Sequence, residues 1–141
     1  MKTIEQVEKC FTVQTTATIS LHRIADILVG AFEGGSTYWI REIILADKPK
    51  KLTFGTDQSG DDYYPRTIRY PLSGGSIQIV EDDGELTPKT HLFNFAAIEK
   101  GLDIMHVKYP RHFKDLIEEN DDAETSDVFL QCAILGDVVY S

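Results

Sequence analysis

Residues 20–45 read SLHRIADILVGAFEGGSTYWIREIIL, a run whose hydrophobic period changes halfway along. Leu21, Ile24, Leu28 and Ala31, with Ile27 and Phe32 beside them, recur every three or four positions, which places their side chains on one face of an α-helix. Ser20 stands where such a helix needs an N-cap, because its hydroxyl oxygen can accept a backbone N–H that the first turn leaves without a partner. Gly34-Gly35 interrupts the pattern and predicts a left-handed helix cap. Tyr38 to Leu45 then turns aromatic and β-branched, which predicts a strand whose exit is marked by Asp47-Lys48-Pro49.

Upstream, Phe11 to Ile19 alternates and is rich in Thr and Val, as a half-buried strand would be. Downstream, Lys50 to Ser73 carries Gly55, Gly60, Pro65 and Pro71 among polar residues and reads as a long connection holding at most a short edge strand. Gly75 to Glu81 alternates through Ile77 and Ile79, and Asp82-Asp83-Gly84-Glu85 supplies a hairpin turn whose second arm starts at Leu86. Helical patterns follow. One is capped by Thr90 and runs through Leu92, Phe93, Ala96, Ala97 and Leu102, with Gly101 weakening it. Another has Pro110 in its first turn and includes Phe113, Leu116 and Ile117. The last starts at Asn120 to Asp122, carries Val128, Phe129, Cys132 and Leu135, and ends at Gly136, leaving Val138 to Tyr140 as a short strand or tail. Strands come first and helices last, which predicts an α+β fold: a small, mostly antiparallel sheet packed on one face by three or four helices. At 141 residues, 42% of them hydrophobic, the chain is long enough for one domain with one core.

The formal net charge is −9, and it is unevenly placed. Residues 1–70 hold nine Lys/Arg and nine Asp/Glu, whereas residues 71–141 hold five and fourteen. Such a field argues against general nucleic-acid binding, and suits either solubility or a surface for a basic partner. No apolar run approaches the roughly 18 residues of a membrane span, and Met1 to Lys9 alternates charge with polarity, so a cytoplasmic protein without membrane contact is expected. Cys10 and Cys132 sit among apolar neighbours, which predicts small buried side chains and free thiols.

Catalytic signatures are missing: no nucleophile elbow, phosphate loop, dinucleotide turn or His-Glu-x-x-His helix occurs. His22, His91, His106 and His112 lack metal-ligand spacing. The acid pairs Asp61-Asp62, Asp82-Asp83, Glu118-Glu119 and Asp121-Asp122 fit turns and caps better than a cleft. A protein that binds without transforming its ligand, and with no cofactor, is the reading that remains. Two segments offer binding chemistry. In Glu33-Gly34-Gly35-Ser36-Thr37-Tyr38-Trp39 two aromatics point to opposite faces of a strand, so that one fills the core and the other can frame a pocket. In Tyr63-Tyr64-Pro65-Arg66-Thr67-Ile68-Arg69-Tyr70, rings that stack on a base alternate with guanidinium groups that fork onto phosphate, unless this is an ordinary aromatic strand. The candidate ligand-binding residues are therefore Tyr38, Trp39, Tyr64, Arg66, Arg69 and Tyr70.

Ile24 to Trp39 and Asp121 to Tyr140 resemble a group of small proteins encoded in phage and prophage genomes, with the Gly101-Leu102 and Tyr109-Pro110 stretches also similar. The resemblance implies that Glu33, Gly34, Gly35, Tyr38, Trp39, Asp127 and Gln131 belong to a shared pattern. Position 37 is Thr, so a more polar turn residue such as Asn is absent there. The setting implied is the host-cell cytoplasm, where such proteins act by binding. One reading is a sponge that sequesters a nucleotide-derived immune signal of the host. The other is an acidic inhibitor or nucleic-acid mimic that engages a host defence protein. Homo-oligomerisation is a further expectation, with Val138 and Tyr140 left over for a neighbouring copy.

Overall fold

The computed structural model describes residues 10, 11, 13, 16–55 and 64–141. Helix α1 (Leu21–Gly30) is capped by Ser20, whose hydroxyl oxygen accepts the Arg23 N–H at 3.1 Å. It runs straight into a π-helical turn, Ala31–Gly35, closed by the Ser36 N–H on the Ala31 carbonyl at 2.9 Å. The helix thus stops at Gly35 as the sequence predicts, by widening instead of by a left-handed cap, since neither Gly34 nor Gly35 has a positive φ. Gly35 is needed for another reason: a Cβ there would lie 2.2 Å from the Ala123 carbonyl oxygen.

Strands β1 (Ile40–Leu45), β2 (Ile77–Glu81) and β3 (Thr90–Phe93) form one antiparallel sheet in that order. A register shift between Ile40 and Glu42 marks an irregularity in β1. Ile44, Gln78 and Leu92 lie in register across one face and are exposed. The other face carries Ile77, Ile79 and Phe93, all fully buried. Helices α2 (Arg66–Leu72), α3 (Phe95–Lys108), α4 (Pro110–Ile117) and α5 (Ala123–Leu135) complete the domain. The fold is α+β, with five helices packed against a three-stranded sheet.

Helix α5 forms the centre. Ten consecutive residues from Thr125 to Ile134 are buried, and its most extensive partner is α3. Gly101 makes that approach possible, because a Cβ there would lie 2.6 Å from the Ala133 Cβ. Asp122 caps α5 through its carboxylate, which accepts the Thr125 N–H at 2.9 Å, and Gly136 ends it with φ 79°.

Several sequence expectations are corrected. Among the described residues between 10 and 19 none lies in a strand. Cys10 is exposed and not buried, and so are Phe11 and Val13; Cys132 is buried, and both thiols are free. Thr90 opens β3 by pairing with Val80 instead of capping a helix, and the cap of α3 is Asn94, whose side chain accepts the Ala97 N–H at 3.0 Å. The second hairpin arm therefore begins at Thr90, later than Leu86. Residues Arg66–Leu72, read as connection or edge strand, form a helix that Pro65 precedes in extended conformation, with Pro71 inside its last turn, where it can donate no N–H to the turn before. Tyr63, Gly60 and the Asp61-Asp62 pair lie outside the described residues.

Candidate functional site

Tyr38, Trp39, Asp127 and Gln131 converge, with Ser36 beside them. Asp127 on α5 is buried, and its two carboxylate oxygens accept four hydrogen bonds. Oδ1 takes the Ser36 hydroxyl at 2.8 Å and the Trp39 indole N–H at 2.8 Å; Oδ2 takes the Tyr38 hydroxyl at 2.6 Å and the Gln131 amide at 3.0 Å. A buried carboxylate is tolerable only when its lone pairs are met in this way. Burial first, and then the hydrogen bond and charge of Asp127, push the Tyr38 hydroxyl up to about 12.

Gln131, one helical turn on, holds the C-terminal segment. Its Oε1 accepts the N–H groups of Val139 and Tyr140, both at 2.8 Å, and its Nε2 donates to the Tyr140 carbonyl at 3.0 Å. That places the Tyr140 ring flat on Trp39, with centroids 5.5 Å apart and planes at 6°. The Tyr140 hydroxyl donates to Glu81 Oε2 at 2.5 Å, and Glu81 Oε1 meets His91 Nε2 at 2.6 Å. The hydrogen bond to Glu81, with burial behind it, pushes the Tyr140 hydroxyl up to about 12. Val138 packs against the core and Tyr140 is engaged within its own chain, and both are half-buried. Of the aromatic pair, Trp39 fills the core and Tyr38 is half exposed, but both stand in the turn before β1 and reach the same carboxylate, so they do not take opposite faces of a strand as the sequence suggested.

The second segment lies elsewhere, between α2 and α1. Tyr64 donates its hydroxyl to Asp26 at 2.6 Å, and its ring gathers with Phe54 and His22 at centroid distances of 5.4 and 6.2 Å. Burial and then Asp26 push this tyrosine up to about 12 as well. Arg69 is buried and donates from Nε to the Tyr64 carbonyl at 2.8 Å, Tyr70 is buried, and Arg66 is exposed. The six residues thus fall into two places. Trp39, Arg69 and Tyr70 serve the interior, while Tyr38, Tyr64 and Arg66 retain contact with solvent.

A cavity of about 580 Å³ opens at a third place, between α3, α4 and residues 17–19. Leu102, Phe113, Ile117 and Ile19 form its apolar floor, and Glu99, Asp103 and Glu118 stand on its rim with His106 and Lys114. None of the six candidate residues lines it. The sequence held a signal for it that composition hid: Glu99, Leu102, Asp103 and His106 follow the spacing i, i+3, i+4, i+7, and so do Pro110, Phe113, Lys114 and Ile117, so each helix turns one stripe toward the same space. No group of three or more metal-ligating side chains occurs among the described residues. Nor is any described helix long and apolar enough to cross a membrane. Comparison of the chain with protein-family models, with curated proteins and with solved structures returned no match.

Proposed function

We propose that this chain acts by binding, without a catalytic step, and that its partner is a protein met through the acidic second half. In the phage setting implied by the resemblance, that makes it an inhibitor or nucleic-acid mimic directed at a host defence protein. The observation that carries the reading is the exposed placement of Glu99, Asp103 and Glu118 around an apolar cavity. An apolar centre with a charged rim is the anatomy of a protein-binding patch, and the negative field of residues 71–141 would steer a basic surface toward it.

A second reading is the sequestering of a small nucleotide-type ligand that serves the host as an anti-phage signal. It is favoured by the solvent contact of Arg66 and Tyr64 at the start of α2. The two are separated by a thermal-shift screen against cyclic dinucleotides, ADP-ribose and NAD, run beside lysine cross-linking of the chain in host extract. The protein-binding reading expects no nucleotide to raise the melting temperature, and cross-links from Lys100, Lys108 or Lys114 to one host protein that weaken as salt is raised. A rise of several degrees with a nucleotide recovered intact, and no cross-linked host protein, would reverse the choice.

A further inference from the structure

We infer that the groove between α3 and α4 is a docking site for a basic, amphipathic helical segment of a partner protein. This rests on the protein-binding reading and names its partner's chemistry. The floor is built from half-buried Leu102 and Phe113 and from exposed Ile117, side chains already backed by the core and able to take one or two large apolar anchors. A neighbouring face of α3 (Ile98, Gly101 and Met105) is committed to the interior, and beside it the stripe of Glu99, Leu102, Asp103 and His106 lines the cavity. His106 packs on Phe113 with ring centroids 4.8 Å apart and bridges the two helices.

The shape argues for a segment and against a compact molecule. A second, smaller cavity of about 200 Å³, lined by Ser20, Arg23 and Glu119, shares Ile19 and Ile117 with the first, so the depression continues along the end of α4. Charge chooses the sign. Glu99 and Asp103 lie one turn apart on α3, Glu118 ends α4 and Glu119 follows it, while Lys114 is the lysine among the residues of the main cavity. An occupant whose Lys or Arg flank its apolar anchors meets carboxylates on both walls; an acidic one meets like charge.

The test uses two labelled helical peptides, one of leucine and lysine and one with glutamate in place of lysine, titrated by fluorescence anisotropy onto the whole chain. Backbone amide shifts are mapped in parallel by NMR. The lysine peptide is expected to bind and the glutamate peptide not, with the largest shifts at Leu102, His106, Phe113 and Ile117. The double change Glu99→Lys with Asp103→Lys, both exposed positions, should weaken binding by about tenfold or more. Ile117→Asn should weaken it without altering the rim charge. Binding of the lysine peptide that ignores all three changes would overturn the groove while leaving the protein-binding reading standing. Equal binding of both peptides, or none by either, would also overturn the groove, and the cross-linking experiment decides the wider reading by itself.

Discussion

Asp127 is the residue on which Ser36, Tyr38, Trp39 and Gln131 meet. It is an acid inside a run of buried apolar side chains, with four donors and no cationic partner among the hydrogen bonds it accepts. Asp127→Ala would leave the buried Trp39 and Ser36 donors unmet, at about 1–3 kcal/mol each, so a loss of about 2–5 kcal/mol is expected from urea unfolding. Asp127→Asn separates charge from volume. Its NH₂ must face either the Trp39 indole N–H or the Gln131 amide N–H, since only the Ser36 and Tyr38 hydroxyls can turn to accept, so it too should lose more than about 1 kcal/mol. Fluorescence of Trp39, the only tryptophan, reports the transition. If Asn came within about 0.5 kcal/mol of the parent, the network would not be the stabilising element described. The sequence carried a signal for this centre, since Asp127 and Gln131 sit at i and i+4 among Val128, Phe129, Leu130 and Cys132. What it did not carry was the partners, because Ser36, Tyr38 and Trp39 are about ninety positions away in the chain.

At the scale of elements, α3 and α5 are held by the contact of Gly101 with Ala133. Gly101→Ala gains about 1 kcal/mol of helix propensity but drives a methyl to 2.6 Å from the Ala133 Cβ, an overpacking that costs about 1–3 kcal/mol. A net loss of about 1 kcal/mol is expected from chemical denaturation. In the double change with Ala133→Gly the clash disappears, so the two effects should fail to add, with a coupling of about 1 kcal/mol or more in favour of the double mutant. Additive effects would show that α3 can move aside. Gly101 read from sequence as a weak point in a helix, and that is how far local propensity reaches; its use as a contact surface exists only once α5 lies against it. The same limit explains the other differences. Local chemistry announced α1, β2, α4 and α5, whose caps or periods are intrinsic, with Ser20, Pro110 and Asp122 in the roles assigned to them. It misplaced what depends on a distant partner: the described residues between 11 and 19 lie in no strand, Thr90 is drawn into a ladder by Val80, and Arg66–Leu72 wind into a helix packed on α1.

Across the whole molecule four tyrosines rest on carboxylates, and this fixes its response to alkali. Tyr38 on Asp127, Tyr64 on Asp26 and Tyr140 on Glu81 are each raised from 10.0 to about 12, and Tyr109 on Asp137 is raised as well. A folded-state value above the unfolded one means the native chain keeps protons that the unfolded chain gives up. Stability from these groups is therefore fully present below pH 10 and is lost as pH climbs from 10 toward 12. Because the hydroxyls join the turn before β1, the C-terminal segment and the residue preceding Pro65 to other elements, their ionisation should release all of these contacts in one window. The measurement is tyrosinate absorbance against pH, with the chain folded and in urea. The urea titration should centre near 10, and the folded chain should lag behind it and then rise steeply together with loss of Trp39 signal. On the acid side the sign is opposite. Asp137, held down to about 2 by the Tyr109 and Lys108 hydrogen bonds, contributes stability above its ordinary value of 3.8 that is lost as pH falls toward 2. Superimposed folded and unfolded tyrosine titrations would mean that these hydroxyl–carboxylate contacts do not hold the elements together.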